Sequence, residues 1–207
     1  MSDASSNPSR RRRGRPRVID REAALDRAVR LFWERGYDGT SLSDLTQAMG
    51  LSRPSLYAAF GDKDALFLRA LDRYGETYAA SPMSAFEAAP DIRHATHAFL
   101  KLSLEANTGP NTPPGCLFAC CAGTVATQDA RVATFLTRVT DDATERLAAR
   151  FESAASRGEL AVGMRPKTRA ALAIDMMYAQ AIRARSGATR SALTADLDAR
   201  VDAVLAD

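Results

Sequence analysis

The chain has 207 residues, 46% of them apolar and 26% charged, a composition ordinary for a folded protein of one large or two small domains. No apolar run approaches the roughly 18 residues that a membrane-spanning helix needs, and the charged N-terminus lacks the apolar stretch of a secretory signal. The three cysteines, Cys116, Cys120 and Cys121, lie too close together for a disulfide framework, so we expect a cytoplasmic location.

Positive charge is concentrated at the N-terminus. Residues 1–73 carry 14 Lys and Arg against 10 Asp and Glu, whereas the rest of the chain carries 14 against 15. Six arginines fall within residues 10–17, and we expect residues 1–18 to be a disordered basic arm. Because the neighbours of these arginines are Ser, Asn, Gly and Pro, the arm has no apolar face for a membrane surface. Its expected partner is therefore nucleic acid and not a membrane.

Beyond the arm, nearly every segment has the apolar spacing of a helix, and no alternation typical of strands persists. The predicted helices cover about residues 20–35, 42–49, 52–61, 62–78, 91–106, 116–127, 129–157, 167–185 and 191–206. A loop containing Pro82 and Pro90 is predicted between the fourth and fifth of them. The pattern indicates an all-α protein of about nine helices without an internal repeat.

Residues 40–63 have the pattern of a helix-turn-helix. Ser41 and Asp44 have the spacing of a capping box at the start of the second helix. Gly50 can supply the positive φ that the short turn Gly50-Leu51-Ser52 requires. The side chains expected to close the small core are Leu45, Met49, Leu51, Leu56 and Phe60.

The third helix is left with a polar outward face, made by Arg53, Ser55, Tyr57 and Ala58. Such a helix can enter the major groove of DNA with its N-terminal half leading. There Arg53 can bond O6 and N7 of guanine, and Ser55 a base edge or a phosphate. Tyr57 and Lys63 lie where a hydroxyl and an ammonium group can reach the DNA backbone.

These residues also carry a resemblance to a known family. The segment resembles the N-terminal domain of the TetR family of transcriptional regulators. The residues that carry the resemblance are Gly36-Tyr37, Thr40-Ser41, Asp44-Leu45, Gly50-Leu51-Ser52, Leu56-Tyr57, Phe60 and Lys63-Asp64-Ala65-Leu66. The similar segment runs from about Asp20 to Leu68, and residues 115–117 and 183–188 resemble one branch of the family. One departure is Thr46, where the family usually has Ala. Its hydroxyl can bond to a helical carbonyl.

The resemblance implies an omega-shaped homodimer of nine-helix subunits, usually a repressor released from a palindromic operator in double-stranded DNA by a small-molecule effector. The expected domains are a basic arm (1–18), a helix-turn-helix domain (19–65) and an effector-binding and dimerisation domain (66–207). The positions that match the family's base contacts are Arg53, Pro54, Ser55 and Ala58, and those that match its phosphate contacts are Ser41, Ser43, Tyr57 and Lys63. Arg15 and Arg17, in the extended end of the arm, can lie in the minor groove.

Two further sets of residues are predicted in the C-terminal part. A four-helix dimer interface is expected from the apolar faces of the last helices, through Ala171, Ile174, Tyr178, Ala181, Ile182, Leu193, Leu197 and Val201. An apolar effector pocket between helices is expected to involve Phe99, Phe118, Cys121, Phe135, Val139 and Met177. For both sets the sequence leaves open that the side chains are simply core of one chain.

Other functions stay open at this point. The cysteines could sense oxidants or electrophiles, or bind a metal together with His94 and His97, although no recognised ligand spacing is present. A protein that coats DNA without sequence choice would also use a basic arm. Because the chain has two histidines and no catalytic motif, an enzyme is not expected, and neither is a cofactor.

Overall fold

A computed structural model describes residues 20–160 and 163–206. These residues form α-helices and two π-helical segments without a β-strand, which confirms the all-α class. The helices are α1 (Arg21–Arg35), α2 (Leu42–Met49), α3 (Arg53–Phe60), α4 (Lys63–Tyr74), α5 (Ala80–Ala88), α6 (Ile92–Asn107), α7 (Gly123–Ala126), α8 (Ala130–Ser156), α9 (Pro166–Arg185), α10 (Arg190–Thr194) and α11 (Leu197–Leu205), and the π segments are Gly75–Ala79 and Phe118–Ala122. The predicted arm, with Arg15 and Arg17, lies outside the described residues.

Within residues 20–160 and 163–206 the elements form nine helical stretches when α10 and α11 are counted together, which is the number that the sequence predicts. The π segment Gly75–Ala79 joins α4 to α5, the segment Phe118–Ala122 runs into α7, and α10 is separated from α11 by a two-residue turn. In the part of the chain that the structure describes, no helix is both long and apolar enough to cross a bilayer.

Local capping determines the ends of the first three helices, as predicted. The Asp20 carboxylate accepts a hydrogen bond from the amide of Ala23 at the start of α1. Both bonds of the Ser41–Asp44 capping box are present. Gly50 ends α2 in the left-handed region at φ 68°, and Thr46 donates its hydroxyl to the carbonyl of Ser43 at 2.9 Å. The departure from the family pattern at Thr46 is therefore accommodated inside α2.

Two stretches differ from the predicted elements. The loop predicted around Pro82 is wrong, because Pro82 lies within α5. In the π segment just before it the backbone hydrogen bonds are already displaced from the i−4 pattern, so the missing amide hydrogen of proline breaks little there. The last predicted helix is interrupted at Ala195 and Asp196, where Arg200 donates to the carbonyl of Leu193 at 3.4 Å.

The apolar core has two main parts. The first part is formed by the helices α1, α2, α3 and α4 together with the segment Phe118–Ala122 and the start of α8. It continues across the predicted domain boundary at residue 65 through Leu66 and Phe67. The second lies between α5, α6, α9, α11 and the end of α8. The first three helices are thus packed on the rest of the chain by α4 and do not stand apart from it.

Candidate functional site

The third helix presents an exposed face at the predicted positions. Leu56 and Phe60 are buried below it, and Arg53, Pro54, Tyr57 and Ala58 are exposed on the other side, with Ser55 half-buried. Tyr57, at 48%, is one of two large apolar side chains that are strongly exposed among the described residues. The exposed side of α3 therefore coincides with the outward face that the sequence predicts, apart from the half-buried Ser55.

Side-chain bonds to main-chain groups fix the position of α3. Ser52 caps its start by accepting from the amide of Ser55, and the two hydroxyls are 2.8 Å apart. Arg27 of α1 donates to the carbonyl of Met49 at the end of α2, and Arg69 of α4 donates to that of Ala59 near the end of α3, both at 3.1 Å. The angle between α2 and α3 is therefore held from both neighbouring helices.

The residues predicted to contact DNA phosphates differ in whether their side chains are already bonded within the protein. Ser41 donates its hydroxyl to the Asp44 carboxylate at 2.5 Å, and the Ser41 amide donates a second hydrogen bond to the same group. These two bonds keep the pKa of Asp44 below its usual value. Ser43, in contrast, is exposed on the first turn of α2. The ammonium group of Lys63 lies 4.0 Å from the centre of the Tyr37 ring, a cation–π contact that holds the charge near the surface.

A cavity of about 440 Å³ lies between α4, α6, α8 and α9. It is lined by five of the six residues predicted for an effector pocket, namely Phe99, Phe118, Phe135, Val139 and Met177. Cys121 does not line it, which corrects that prediction. Its side chain lies on the far side of the segment Phe118–Ala122, with the thiol 3.8 Å from the carbonyl of Trp33. Residues that the sequence reasoning missed include Tyr74, Tyr78, Ser103 and Asn107.

A set of contacts that we call the α1–α9 latch joins the end of α1 to the end of α9. Its residues are Trp33, Gly115 and Arg185. The guanidinium group of Arg185 donates to the carbonyls of Trp33 and Glu34, at 2.7 and 2.9 Å. The indole of Trp33 donates to the carbonyl of Gly115 at 2.8 Å. The latch therefore connects segments that are more than 80 residues apart in sequence.

Glycine is required in the latch. Gly115 has φ +83°, and a Cβ there would lie 2.9 Å from the carbonyl oxygen of Ala181 and 3.0 Å from Cβ of Arg185. The two later stretches that resemble one family branch, residues 115–117 and 183–188, contain Gly115 and Arg185. That resemblance was the one signal in the sequence that could have indicated the latch.

Aromatic rings run from the cavity to the latch. Phe135 and Phe118 line the cavity with their ring centres 5.7 Å apart, and Phe118 lies 4.9 Å from Tyr74. Tyr74 in turn contacts Trp33 edge-on at 4.9 Å. Both π segments adjoin this row of rings, since Tyr74 directly precedes Gly75 and Phe118 begins the second segment. Such segments are often found at functional sites. A change in the cavity wall can thus reach the end of α1 through rings in direct contact.

Most of the predicted dimer residues face the core of their own chain. The prediction is wrong for Ile174, Ala181, Leu193, Leu197 and Val201, which are all buried in the single chain. Tyr178 is half-buried and bonded to Thr140 at 3.1 Å, and its place in the interface stays a prediction. The reason is that α9 and α11 pack on α6, which covers their apolar faces. Ala171 and Ile182 are exposed, Ile182 at 52%.

The thiols and histidines do not come together. His94 bonds to Asp91 at 2.7 Å and His97 approaches Asp198 at 3.8 Å. Among the described residues, no group of three or more His, Cys, Asp and Glu side chains could hold a metal ion. Burial raises the pKa of all three thiols, that of Cys121 to about 11, although Arg185 partly offsets this at Cys120 and Cys121. The thiolate needed for redox sensing is therefore scarce at neutral pH.

We expect the three thiols of the folded protein to react slowly with a disulfide reagent such as dithiobis-nitrobenzoate at neutral pH. With a pKa near 11 in place of about 8.5, the thiolate fraction of Cys121 is lower by a factor on the order of a hundred or more. The rate should keep rising with pH beyond pH 9, and it should become fast at neutral pH once the protein is unfolded in guanidinium. Single Cys→Ser variants assign the rates, and one fast thiol in the folded protein would favour a redox sensor instead.

Comparison with known proteins gives consistent matches. The family described as bacterial regulatory proteins, tetR family, matches residues 24–70. The HTH-type transcriptional repressor ComR of Escherichia coli (strain K12) is 40% identical over 117 residues, 56% of each chain. The chain thus spans about half the length of the curated relatives it matches.

Solved structures match over nearly the whole chain. A cysteine mutant of the TetR family transcriptional regulator CifR, complexed with 26 bp double-strand operator DNA, is 31% identical and covers 91% of this chain and 99% of its own, with a TM-score of 0.83. A TetR regulator described as putative, from Rhodococcus sp. RHA1, is 34% identical over 89% of this chain and 98% of its own, with a TM-score of 0.59. With its helix-turn-helix, its all-helical C-terminal part and these full-length matches, the chain belongs to the TetR family of transcriptional regulators.

Proposed function

We propose that this protein is a sequence-specific DNA-binding repressor that leaves its operator when a small molecule occupies the cavity. The observation that carries the proposal is the exposed face of α3, which begins with Arg53 directly after the turn at Gly50. In this proposal residues 19–65 contact DNA, preceded by the basic arm, and residues 66–207 bind the effector and the partner subunit. The similarity to CifR, solved with operator DNA, supports the DNA-binding part.

On DNA, the outward face of α3 would meet the major groove. Arg53 leads and can bond guanine bidentately, with Pro54, Ser55 and Ala58 against the adjoining base edges. Tyr57, Lys63 and Ser43 would hold phosphates, whereas Ser41 would first have to release Asp44. Arg15 and Arg17 would lie in the minor groove beside this helix.

Replacing Arg53 by alanine tests the reading of bases. We expect R53A to lose about 1–3 kcal/mol of discrimination at the base pair it contacts, with a smaller loss of binding to random DNA. The measurement is the ratio of affinities for a selected palindromic site and random duplex, by fluorescence anisotropy at fixed salt.

The matched control is Arg93→Ala, which removes an exposed arginine of α6 that pairs with Asp202 at 2.7 Å. Its specificity ratio should equal that of the wild type. A wild-type protein that binds random DNA as tightly as any selected site would instead be a DNA-coating protein.

We further propose a homodimer formed through the exposed side of α9. Ala171, Ala179 and Ile182 are exposed there, and alanines let two helices approach closely, with Ile182 as the apolar contact. The exposed alanines of α11, Ala199 and Ala203, would extend the interface. Two such helices from each subunit make a four-helix bundle. This interface replaces the one that the sequence predicts, since it uses the side of α9 that the chain itself leaves uncovered.

Substitution of Ile182 by glutamate should dissociate the dimer, because a carboxylate would be buried without a partner at the centre of the interface. Light scattering coupled to size-exclusion chromatography should give twice the 22.3 kDa of one chain for the wild type and a single chain for I182E. Lys101→Glu, an equally exposed site on α6, is the control and should remain dimeric. A dimeric I182E would place the interface elsewhere.

We propose that the α1–α9 latch passes the state of the cavity to the DNA-binding helices. Arg185 and Trp33 hold the end of α1, and the aromatic contacts through Tyr74 and Phe118 lead from the latch to the cavity. Because packed rings shift together and do not compress, an occupied cavity can move α1 and with it the spacing of the two recognition helices.

Removing the Arg185 guanidinium tests this coupling without an effector. We expect Arg185→Met to lower operator affinity by about tenfold, a typical coupling free energy between sites, although Arg185 is not among the positions that would meet DNA. The control is Arg190→Met, because Arg190 also donates to main-chain carbonyls, those of Glu105 and Thr108 at the end of α6. R190M should lose thermal stability but keep operator affinity. Equal affinities for both variants would exclude the latch from DNA binding.

A further inference from the structure

The wall of the cavity that α6 provides is apolar at one end and polar at the other. Phe99, Ser103, Ala106 and Asn107 line the cavity, and their spacing places them on one face of the helix. The hydroxyl of Ser103 donates to the carbonyl of Phe99 at 2.7 Å, so its hydrogen is already used. Asn107, one turn further, ends the stripe.

Asn107 is buried without a side-chain partner. It is 4% exposed, and its carboxamide forms no hydrogen bond with any residue that the structure describes, whereas its main-chain carbonyl accepts from Gly115 at 2.9 Å. The carboxamide lines the cavity, so a bound molecule with a matching group would take the place of water there and form its hydrogen bond with Asn107. The carboxamide offers one acceptor and two donor hydrogens.

Other polar groups of the lining are less available. The Tyr178 hydroxyl pairs with that of Thr140 at 3.1 Å. Tyr74 is buried, and its pKa is raised by burial and by the neighbouring thiol of Cys116. Tyr78 is half-buried, contacts Trp33 edge-on and stacks on Tyr74. Asn107 is thus the buried group best placed to select a ligand.

Charged residues lie only at the mouth of the cavity. Asp72, Glu76, Arg138, Asp142 and Arg146 line it and are all exposed. The two arginines are already paired, Arg138 with Asp72 at 3.7 Å and Arg146 with Glu87 at 2.5 Å. Within the described residues, Glu76 and Asp142 have no ion-pair partner. An anionic ligand would therefore meet uncompensated carboxylates at the entrance and no cation inside.

We propose that the cavity binds an uncharged, largely aromatic molecule whose single carbonyl or amide group is hydrogen-bonded by Asn107, and that it rejects the corresponding carboxylate. The aromatic part would contact Phe99, Phe118 and Phe135, and the polar group would reach the end of α6. This inference rests on the proposed function, in that it takes the cavity as the effector site.

Three probes of one shape test the chemistry: naphthalene-2-carboxamide, 2-naphthoate and 2-methylnaphthalene. Each is titrated into the full-length protein at neutral pH by isothermal titration calorimetry. We expect the amide to bind about tenfold more tightly than the methyl compound, the value of one net hydrogen bond. The carboxylate should bind about a hundredfold more weakly than the amide, because its charge would lose water without a counterion.

Asn107→Leu keeps the size of the side chain and removes the amide. In N107L the amide probe should lose its tenfold advantage, while the methyl compound binds at least as well as to the wild type, which also shows that the cavity is intact. Asn111→Leu changes the same residue type on an exposed position of the following loop and should leave all three affinities unchanged.

Several outcomes would overturn the assignment of the ligand class. They are equal binding of carboxylate and amide, an unchanged ratio of amide to methyl compound in N107L, and no binding of any probe up to its solubility.

The effect of the probes on operator binding is measured separately. If the amide binds as expected and the operator stays bound, the effector role fails and the ligand class holds. If only the anion releases the operator, the effector role holds and the ligand class fails.

Discussion

The end of α1 is bonded to the C-terminal part of the chain through Arg185 of α9, in addition to the apolar packing of α1 on α4. The last carbonyls of a helix have no partners within it, and that of Trp33 is part-buried whereas that of Glu34 lies at the surface. Arg185 supplies a charged donor to both, and a cation at a helix C-terminus also interacts favourably with the helix dipole. A single side chain from α9 thereby ties the end of α1 to the C-terminal part of the chain.

Aromatic side chains connect the end of α1 to one wall of the cavity. Tyr74 contacts Trp33 on one side and Phe118 on the other, and Phe118 lies against the ring of Phe135. The two π segments adjoin these rings, and such segments are often found at functional sites. In the proposed function, this wall is the part of the cavity that would respond to an effector.

Helix α9 combines three surfaces. Ile174 and Met177 line the cavity, Arg185 closes the latch at its end, and Ala171 and Ile182 lie exposed on its outer side. A rotation of this helix about its axis therefore changes the cavity, the hold on α1 and any contact with a partner at the same time. The buried thiols beside it, with their raised pKa values, are better understood as packing than as sensors.

The sequence by itself determined the helices, the turn at Gly50 and the outward face that begins with Arg53, because caps, glycine and apolar spacing act within a few residues. It also indicated five residues of the cavity lining, since large apolar side chains on successive helices meet inside a bundle. It could not determine what covers an apolar helix face: Leu193, Leu197 and Val201 would look the same against a partner subunit as against their own chain. Only the tertiary structure brought Arg185 to Trp33 across 152 residues and left Asn107 without a partner, because such contacts arise from packing and have no local signal.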